Sequence, residues 1–461
     1  MEIGSDFSQA LNAARALKCI GNFAEAIGAY KQAINLNPNS FEALIELGVT
    51  LWEQGNFDEA FAAAEQLIAL DPNHPNGYIL LGHVLLDLQN LDRCVESYQS
   101  AIKLAPKHAE LYNSLGLALK EKGQFKEALE AYDIAFLLAP DNAEIHNNKA
   151  ILMLLSGDLR KGFHEYEWRK LKRERYGNRD YVQPEWRGED ISGKTLLIHH
   201  EQGMGDAVQF SRYLTLLEHY KVNVIYAAHP PLRRLLSSQG DIQFVDPNNS
   251  NLQFDYHCPL LSLPLALGTT LDTIPAAIPY LRALPERVDK WRKRIGSEGF
   301  KIGVAWQGSG GRFATNRLFS PLYFKALQDL PNVRLIGLHK APLYAPWDLP
   351  EGIHIEPLGP DFDMETDAFL DTAAAIEVLD LVISCDTAIA HIAGAMGKPC
   401  WVILRHVPHW VWMMERPDSP WYPSIRLFRQ KRPGDWVSAF TEVERALSAL
   451  LSDNDCVGAK R

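Results

Sequence analysis

Pro38, Pro72, Pro106 and Pro140 stand at one constant spacing through the first third of the chain. A period of about 34 residues that recurs this strictly forces one supersecondary unit to be built again and again, and a unit of that length is a pair of helices that stacks on the next pair. Other columns of the frame agree. Small residues are needed where two helices of a pair touch, and Ala14, Gly48, Gly82, Gly116 and Ala150 supply them on the first helix. Ala26, Ala60, Cys94, Ala128 and Gly162 supply them on the second. Between the helices come Gly21, Gly55, Gln89, Gly123 and Gly157, where a tight turn calls for positive φ. Each proline ends a second helix by removing a donor and restricting the residue before it.

The pattern is that of the tetratricopeptide repeat, with about four to five copies over residues 1–175. Stacked hairpins leave a groove along one side. Tyr112, Asn113, His146 and Asn147 on the first helices are expected to line it and to meet a protein or glycan acceptor. A formal net charge of −11 repels a phosphate backbone, so nucleic acid is not expected as a partner. The basic run RKLKRER at 169–175 reads as the solvated end of a helix. Cys19, Cys94, Cys258, Cys385, Cys400 and Cys456 are scattered, without CxxC or histidine spacing, which argues against a disulfide frame or a zinc site. The opening MEIGSDF has neither a basic start nor an apolar run, and the most apolar stretch, CPLLSLPLALG at 258–268, is short and broken by prolines. A cytoplasmic protein without a membrane span is therefore expected.

From 176 to 193 the helical period is lost, as in a linker. Beyond it, short apolar runs alternate with helical stretches: 195–199, 222–228, 242–245, 301–306, 333–338, 380–384, 400–404 and 425–428. Strands alternating with helices argue for parallel sheets. The charged segment PERVDKWRKRIGSEG at 285–299 divides two doubly wound halves, 194–285 and 286–451, with a tail at 452–461. Ligands of such sheets sit at the carboxyl ends of the strands.

Three loops fall there. In HHEQGMGDAVQF (199–210), Gly203 and Gly205 let the backbone pass close to a ligand, and Asp206 starts the next helix. Its carboxylate has two readings, a helix cap or a general base that takes a proton from an acceptor hydroxyl. WQGSGGRFATNR (306–317) brings small residues together with Arg312 and Arg317, suited to a diphosphate. In SCDTAIAHIAGAMGKP (384–399), Asp386 and Thr387 cap a helix whose N-terminus favours an anion. His391 lies one turn on, either directed at the cleft or simply packed.

These loops carry a resemblance. HEQGMGDAVQFSRYL, PPL at 230–232, DYHCPLLSLPLALGTTLDTIPAAIPYL at 255–281, DTAAAIEVLDLVISCDTAIAHIAGAMGKPCWVIL at 371–404, and DSPWYPSIRLFRQ with GDW at 418–436 occur in order. The chain closely resembles bacterial tetratricopeptide-repeat proteins whose C-terminal domain is similar to heptosyltransferases. The resemblance implies a GT-B glycosyltransferase of two Rossmann-like halves, with a nucleotide sugar held mainly by the C-terminal half, the acceptor by the N-terminal half, and no metal or other cofactor. By motif, Asp206 matches the catalytic base, and Asp386, Thr387, Ala388 and His391 match the nucleotide-diphosphate loop. Gly205, Trp306, Ser309, Arg312, Asn316, Arg317 and Lys340 complete the expected nucleotide- and phosphate-binding set.

The departures are informative. Where relatives read WAGNPxHxNDRxRS, this chain has WQGSGGRFATNRLFS, which keeps Trp306, Asn316, Arg317 and Ser320 but loses the acid before the arginine. Where many read PFAPDWRW, it has RHVPHWVW at 405–412. The architecture is also similar to O-GlcNAc transferases, whose repeats carry an asparagine ladder. The corresponding positions here are Glu46, Leu80, Ser114 and Asn148, so the ladder is not present. The DFD at 361–363 resembles a metal-binding DxD, in an irregular segment. Two functions follow: sugar transfer from a nucleotide donor to an acceptor hydroxyl, or a repeat scaffold with a degenerate transferase domain.

Overall fold

A computed structural model describes residues 2–172, 181–246, 248–249, 251–308, 317–340 and 349–458. The chain divides into two compact units, Met1–Lys149 and Ala150–Arg461.

The first unit is an array of paired helices: α1 (Glu2–Cys19), α2 (Phe23–Leu36), α3 (Phe41–Glu53), α4 (Phe57–Leu70), α5 (Pro75–Asp87), α6 (Leu91–Leu104), α7 (Ala109–Glu121), α8 (Phe125–Leu138) and the start of α9 (Ala143–Leu155). Each proline of the frame follows a second helix, and the residue before it is extended or nearly so, from Asn37 (φ −141°) to Ala139 (φ −145°). The small-residue columns are buried. A methyl added at Gly82 would stand 2.6 Å from the Tyr98 ring, and one at Gly116 would stand 2.7 Å from the Tyr132 ring. Only glycine lets these tyrosines lie flat against the first helix. The turn column is left-handed throughout, at Gly21, Gly55, Gly123 and Gly157, and at Gln89 with φ 58°.

One groove expectation fails here. His146 is buried, its Nε2 lies 2.7 Å from the Pro140 carbonyl, and its ring meets Phe136 edge-on. Asn147 is wholly buried. Both side chains turn into the helix packing, so neither presents a surface to a partner. Tyr112 donates to the Pro106 carbonyl at 3.1 Å, and Asn113 accepts from Asn148 at 3.1 Å. These two stay half-buried.

The second unit starts with the rest of α9, α10 (Leu159–Tyr166) and a 3-10 turn, Glu167–Leu171. It then forms two sheets in which every described pairing between strands is parallel. The first has the order β3-β2-β1-β4, from β1 (Thr195–His199), β2 (Asn223–Ala227), β3 (Gln243–Phe244) and β4 (Tyr256–Pro259). The second has the order β10-β9-β8-β5-β6-β7, from β5 (Phe300–Ala305), β6 (Val333–Gly337), β7 (Glu356–Pro357), β8 (Leu381–Cys385), β9 (Cys400–Leu404) and β10 (Ile425–Arg429). β4 and β7 are additions to the strands expected from sequence; the first ends in proline, and the second is two residues long. The central strands read as continuous apolar runs because both faces are covered. Segment 184–186 lies along β4: Glu185 bridges to His257, and Trp186 donates its backbone N–H to the His257 carbonyl at 2.8 Å. Among the described residues no helix is long and apolar enough to cross a membrane.

Candidate functional site

Parallel strands deliver their following loops to one edge, and in each sheet the strand order reverses beside the first strand: between β1 and β4, and between β5 and β8. A cleft of about 510 Å³ opens there. Its walls come from the loops after β1 (Gly203 to Asp206), β5 (Gln307, Gly308), β6 (Leu338 to Lys340) and β8 (Asp386 to Ala388).

Gly205 brings the two sides together. A methyl there would stand 3.3 Å from His391 Cδ2 and 3.4 Å from Ala388 Cα, already tight contact. The helix Met204–Phe210 after β1 and the helix Ala388–Ala395 after β8 therefore meet near their N-termini. Asp206 sits on the first. Its Oδ2 accepts from the Gly203 N–H at 3.2 Å, one of the donors left free at the start of this helix. Burial holds its carboxyl above the ordinary carboxylate range, and Asp386 and Glu201 add to the rise; His409 and the Gly203 N–H oppose it. A carboxylate whose basicity is raised in a cleft has the character of a general base. The cap and that role coexist on this geometry.

On the other side, Thr387 is the N-cap of Ala388–Ala395, yet its side chain accepts no cap hydrogen bond; Oγ1 lies 3.1 Å from Ser384 Oγ. Asp386 lines the cleft and is mostly buried. Arg317 lines it too, with Nε buried and without a hydrogen-bond partner among the described residues. His391 is neutral: burial pushes its imidazole down to about 4 despite Asp386. It stacks on Trp412, and Nδ1 lies 3.0 Å from the Tyr422 hydroxyl. It is both packed and at the cleft wall. Tyr422 in turn lies under the Arg212 guanidinium, whose carbon is 4.3 Å from the ring centroid; Arg212 donates to the Trp421 carbonyl and the Tyr280 hydroxyl. A buried arginine from the first sheet's region thus fixes the aromatic that holds His391.

Trp306 departs from expectation. Its indole packs in the core with Phe324 and against His339, away from the cleft wall, because it continues the inward face of β5. Its backbone N–H, with that of Gln307, donates to His339 Nε2 at 2.9 and 3.3 Å. Burial lowers the His339 pKa to about 4, so the ring stays a neutral acceptor that orders this turn. Gly308 follows, where a methyl would stand 3.0 Å from Thr387 Cγ2. Lys340 is exposed at the rim. Ser309, Arg312 and Asn316 lie outside the described residues.

His339 and Phe369 line the cleft without any sequence signal that singles them out, and His409 comes from the departing segment RHVPHWVW. For His339 the one usable clue is its place two residues beyond β6, at the carboxyl edge. The DFD has other work. Asp361 pairs with Lys290 and Arg294, and Asp363 accepts from the backbone of Asp371 and Thr372 and from the Thr372 hydroxyl. Among the described residues no group of three or more His, Cys, Asp or Glu side chains is arranged to hold a metal ion. The basic run is also different from expectation at its start: Arg169 is wholly buried, and Lys170 pairs with Glu167 and Glu185.

Residues 6–75, 51–119 and 109–142 match family models described as tetratricopeptide repeat, so the paired helices of this region are such repeats. Protein FlbA of Caulobacter vibrioides is 27% identical over 290 residues, covering 57% of this chain and 48% of that protein. The chain thus matches about half the length of that curated relative. Among solved structures, TTC0263, a thermophilic TPR protein in Thermus thermophilus, is 24% identical, covering 35% of this chain and 88% of that one with a TM-score of 0.32. MamA 41-end from Desulfovibrio magneticus RS-1 is 22% identical, covering 37% and 98%, with a TM-score of 0.34.

Proposed function

We propose that the α/β unit is a metal-independent glycosyltransferase of two Rossmann-like halves (GT-B), which moves a sugar from a nucleotide-sugar donor to a hydroxyl of a protein or glycan acceptor recruited partly by the repeats. One observation carries the reading: Asp206 and the N-terminus of Ala388–Ala395 face a single cleft, brought together at Gly205. The strand orders support it, since each sheet counted in chain order runs outward from its first strand in both directions, as in a doubly wound nucleotide-binding fold.

In the proposed step the acceptor hydroxyl gives its proton to Asp206, and its oxygen forms the new bond to the anomeric carbon. The bond from that carbon to the diphosphate oxygen breaks, and the electron pair leaves with the nucleoside diphosphate. The departing charge falls to the helix N-terminus behind Thr387, with Arg317 and Lys340 as the cations available among the described residues. Neutral His391 adds no charge; it shapes the wall.

A second reading is an interaction protein whose α/β unit has lost catalysis. It is favoured by the repeats, which are protein-interaction modules by architecture, and by the capping bond that already engages Asp206. Calorimetric titration with UDP, GDP and ADP in EDTA separates the two. One of the three is expected to bind without added metal. Binding that disappears on chelation would overturn the metal-free mechanism, and no binding under either condition would favour the scaffold.

A further inference from the structure

We propose that α10 and the 3-10 turn near the start of the second unit are a working part of the candidate site, with Arg169 and Tyr166 as positioning residues that hold the loop bearing Asp206. The catalytic part of this inference rests on reading Asp206 as the base.

Arg169 lies in the 3-10 turn after α10, with no exposed surface. Its Nη2 is 2.5 Å and its Nε 3.1 Å from the two oxygens of Glu201, itself 2% exposed. The same guanidinium donates to the Tyr166 carbonyl at 3.0 Å, to Glu167 at 2.8 Å and to Ser262 at 2.8 Å. Glu201 also accepts from the Leu261 N–H at 3.2 Å. A forked arginine on a carboxylate fixes orientation as well as charge. Burial makes the pair demanding, because Glu201 without Arg169 would keep the Leu261 N–H but lose the cation beside it, while Arg169 would still have Glu167.

The next residue is held as well. Gln202 Nε2 donates to the Tyr166 hydroxyl at 2.9 Å, and its carbonyl lies 3.1 Å from His229 Nε2. Gln202 has φ 61°, a left-handed backbone that a non-glycine residue keeps only where its surroundings impose it. Gly203 follows and donates to Asp206 Oδ2. Each link from Arg169 and Tyr166 to Asp206 is therefore a named bond over six consecutive residues, 201–206. A loop placed this way defines where the carboxylate stands, and displacement of about 1 Å at a reacting group can cost about 10²-fold in rate.

The test uses the full chain with two variants, Tyr166→Phe and the paired Arg169→Met/Glu201→Leu, the latter keeping volume while removing both buried charges. Amide hydrogen exchange is followed in segment 200–207 and, as an internal reference, in β1 and β8. We expect exchange to quicken at 200–207 while both strands keep wild-type protection, and the affinity for the nucleoside diphosphate that binds to stay within about twofold. Turnover on the donor should then fall about tenfold for Tyr166→Phe and about 10²-fold for the pair, in kcat rather than KM. Wild-type exchange at 200–207 in both variants would overturn the proposal. Faster exchange throughout, strands included, would also overturn it, since that marks general destabilisation. Because exchange is read without any assay of transfer, a chain that transfers no sugar refutes the glycosyltransferase reading while leaving the coupling measurable.

Discussion

The repeat unit and the α/β unit bury their apolar surfaces over different reaches of sequence. In Met1–Lys149 each helix packs on its neighbours in the chain, Tyr98 over Gly82 and Tyr132 over Gly116. In Ala150–Arg461 the partners are distant: Arg212 reaches the Trp421 carbonyl, Arg169 reaches Glu201 and Ser262, and β5 lies beside β8. The first arrangement makes stability a sum of similar local terms. The second ties buried charges to one cleft, so a single change there reaches the whole site. The candidate site lies where the long-range contacts are, while the array can change locally at small expense.

The sharpest test of that division is Asp206→Asn. Asparagine retains a capping oxygen of equal quality, so the fold should stand, while loss of the base lowers turnover by about 10²- to 10⁴-fold with nucleotide affinity nearly unchanged. Turnover at wild-type level would make Asp206 a cap alone. Acid comes next. Burial lowers His339 and His391 from 6.5 to about 4, so between those values the unfolded chain binds protons that the folded chain does not. Stability of the α/β unit should therefore fall as pH falls through this window, by about 1.4 kcal/mol per pH unit for each histidine. Urea unfolding at several pH values measures the slope, and His339→Gln should remove its share; an unchanged slope in that variant would contradict the assignment.

Within the repeats the effects are smaller and local. Gly82→Ala drives a methyl into the buried Tyr98 ring, and overpacking of this kind costs about 1–3 kcal/mol. Denaturant unfolding should register the loss while nucleotide affinity in the α/β unit is unaffected; a change in that affinity would break the proposed separation. The smallest effect has the opposite sign. Gly28 lies inside α2 with nothing near its missing methyl, so Gly28→Ala should stabilise by about 0.5–1 kcal/mol. A loss of stability there would mean that the surface of α2 is already in use.

These two reaches also decide what can be read from residue order. The frame places Gly82, Cys94 and Gly123 correctly because each position is tested several times over by its repeats. The strands β1, β5 and β8 are legible as apolar runs, and the loops behind them follow from the rule that parallel sheets use their carboxyl edges. Burial is not legible. Arg169 stands in a run of basic residues that looks solvated, and its partner Glu201 is too far along the chain for spacing to reveal. Trp306 looks like a ligand contact because it keeps a position of the motif WAGNPxHxNDRxRS, but the inward face of β5 claims it. His146 and Asn147 fall at helix positions that turn inward, a matter of rotation by one residue. His339 escapes because a lone histidine after a strand carries no pattern.

Gln89 occupies a turn column otherwise filled by glycine, yet it keeps φ 58°. A side chain in that backbone region costs roughly 1–2 kcal/mol, and its Nε2 bond to the Leu86 carbonyl at 3.0 Å offsets part of this. Glycine in this place, as at Gly55 and Gly123, would carry no such cost, so the joint between α5 and α6 holds its handedness against the preference of its own residue.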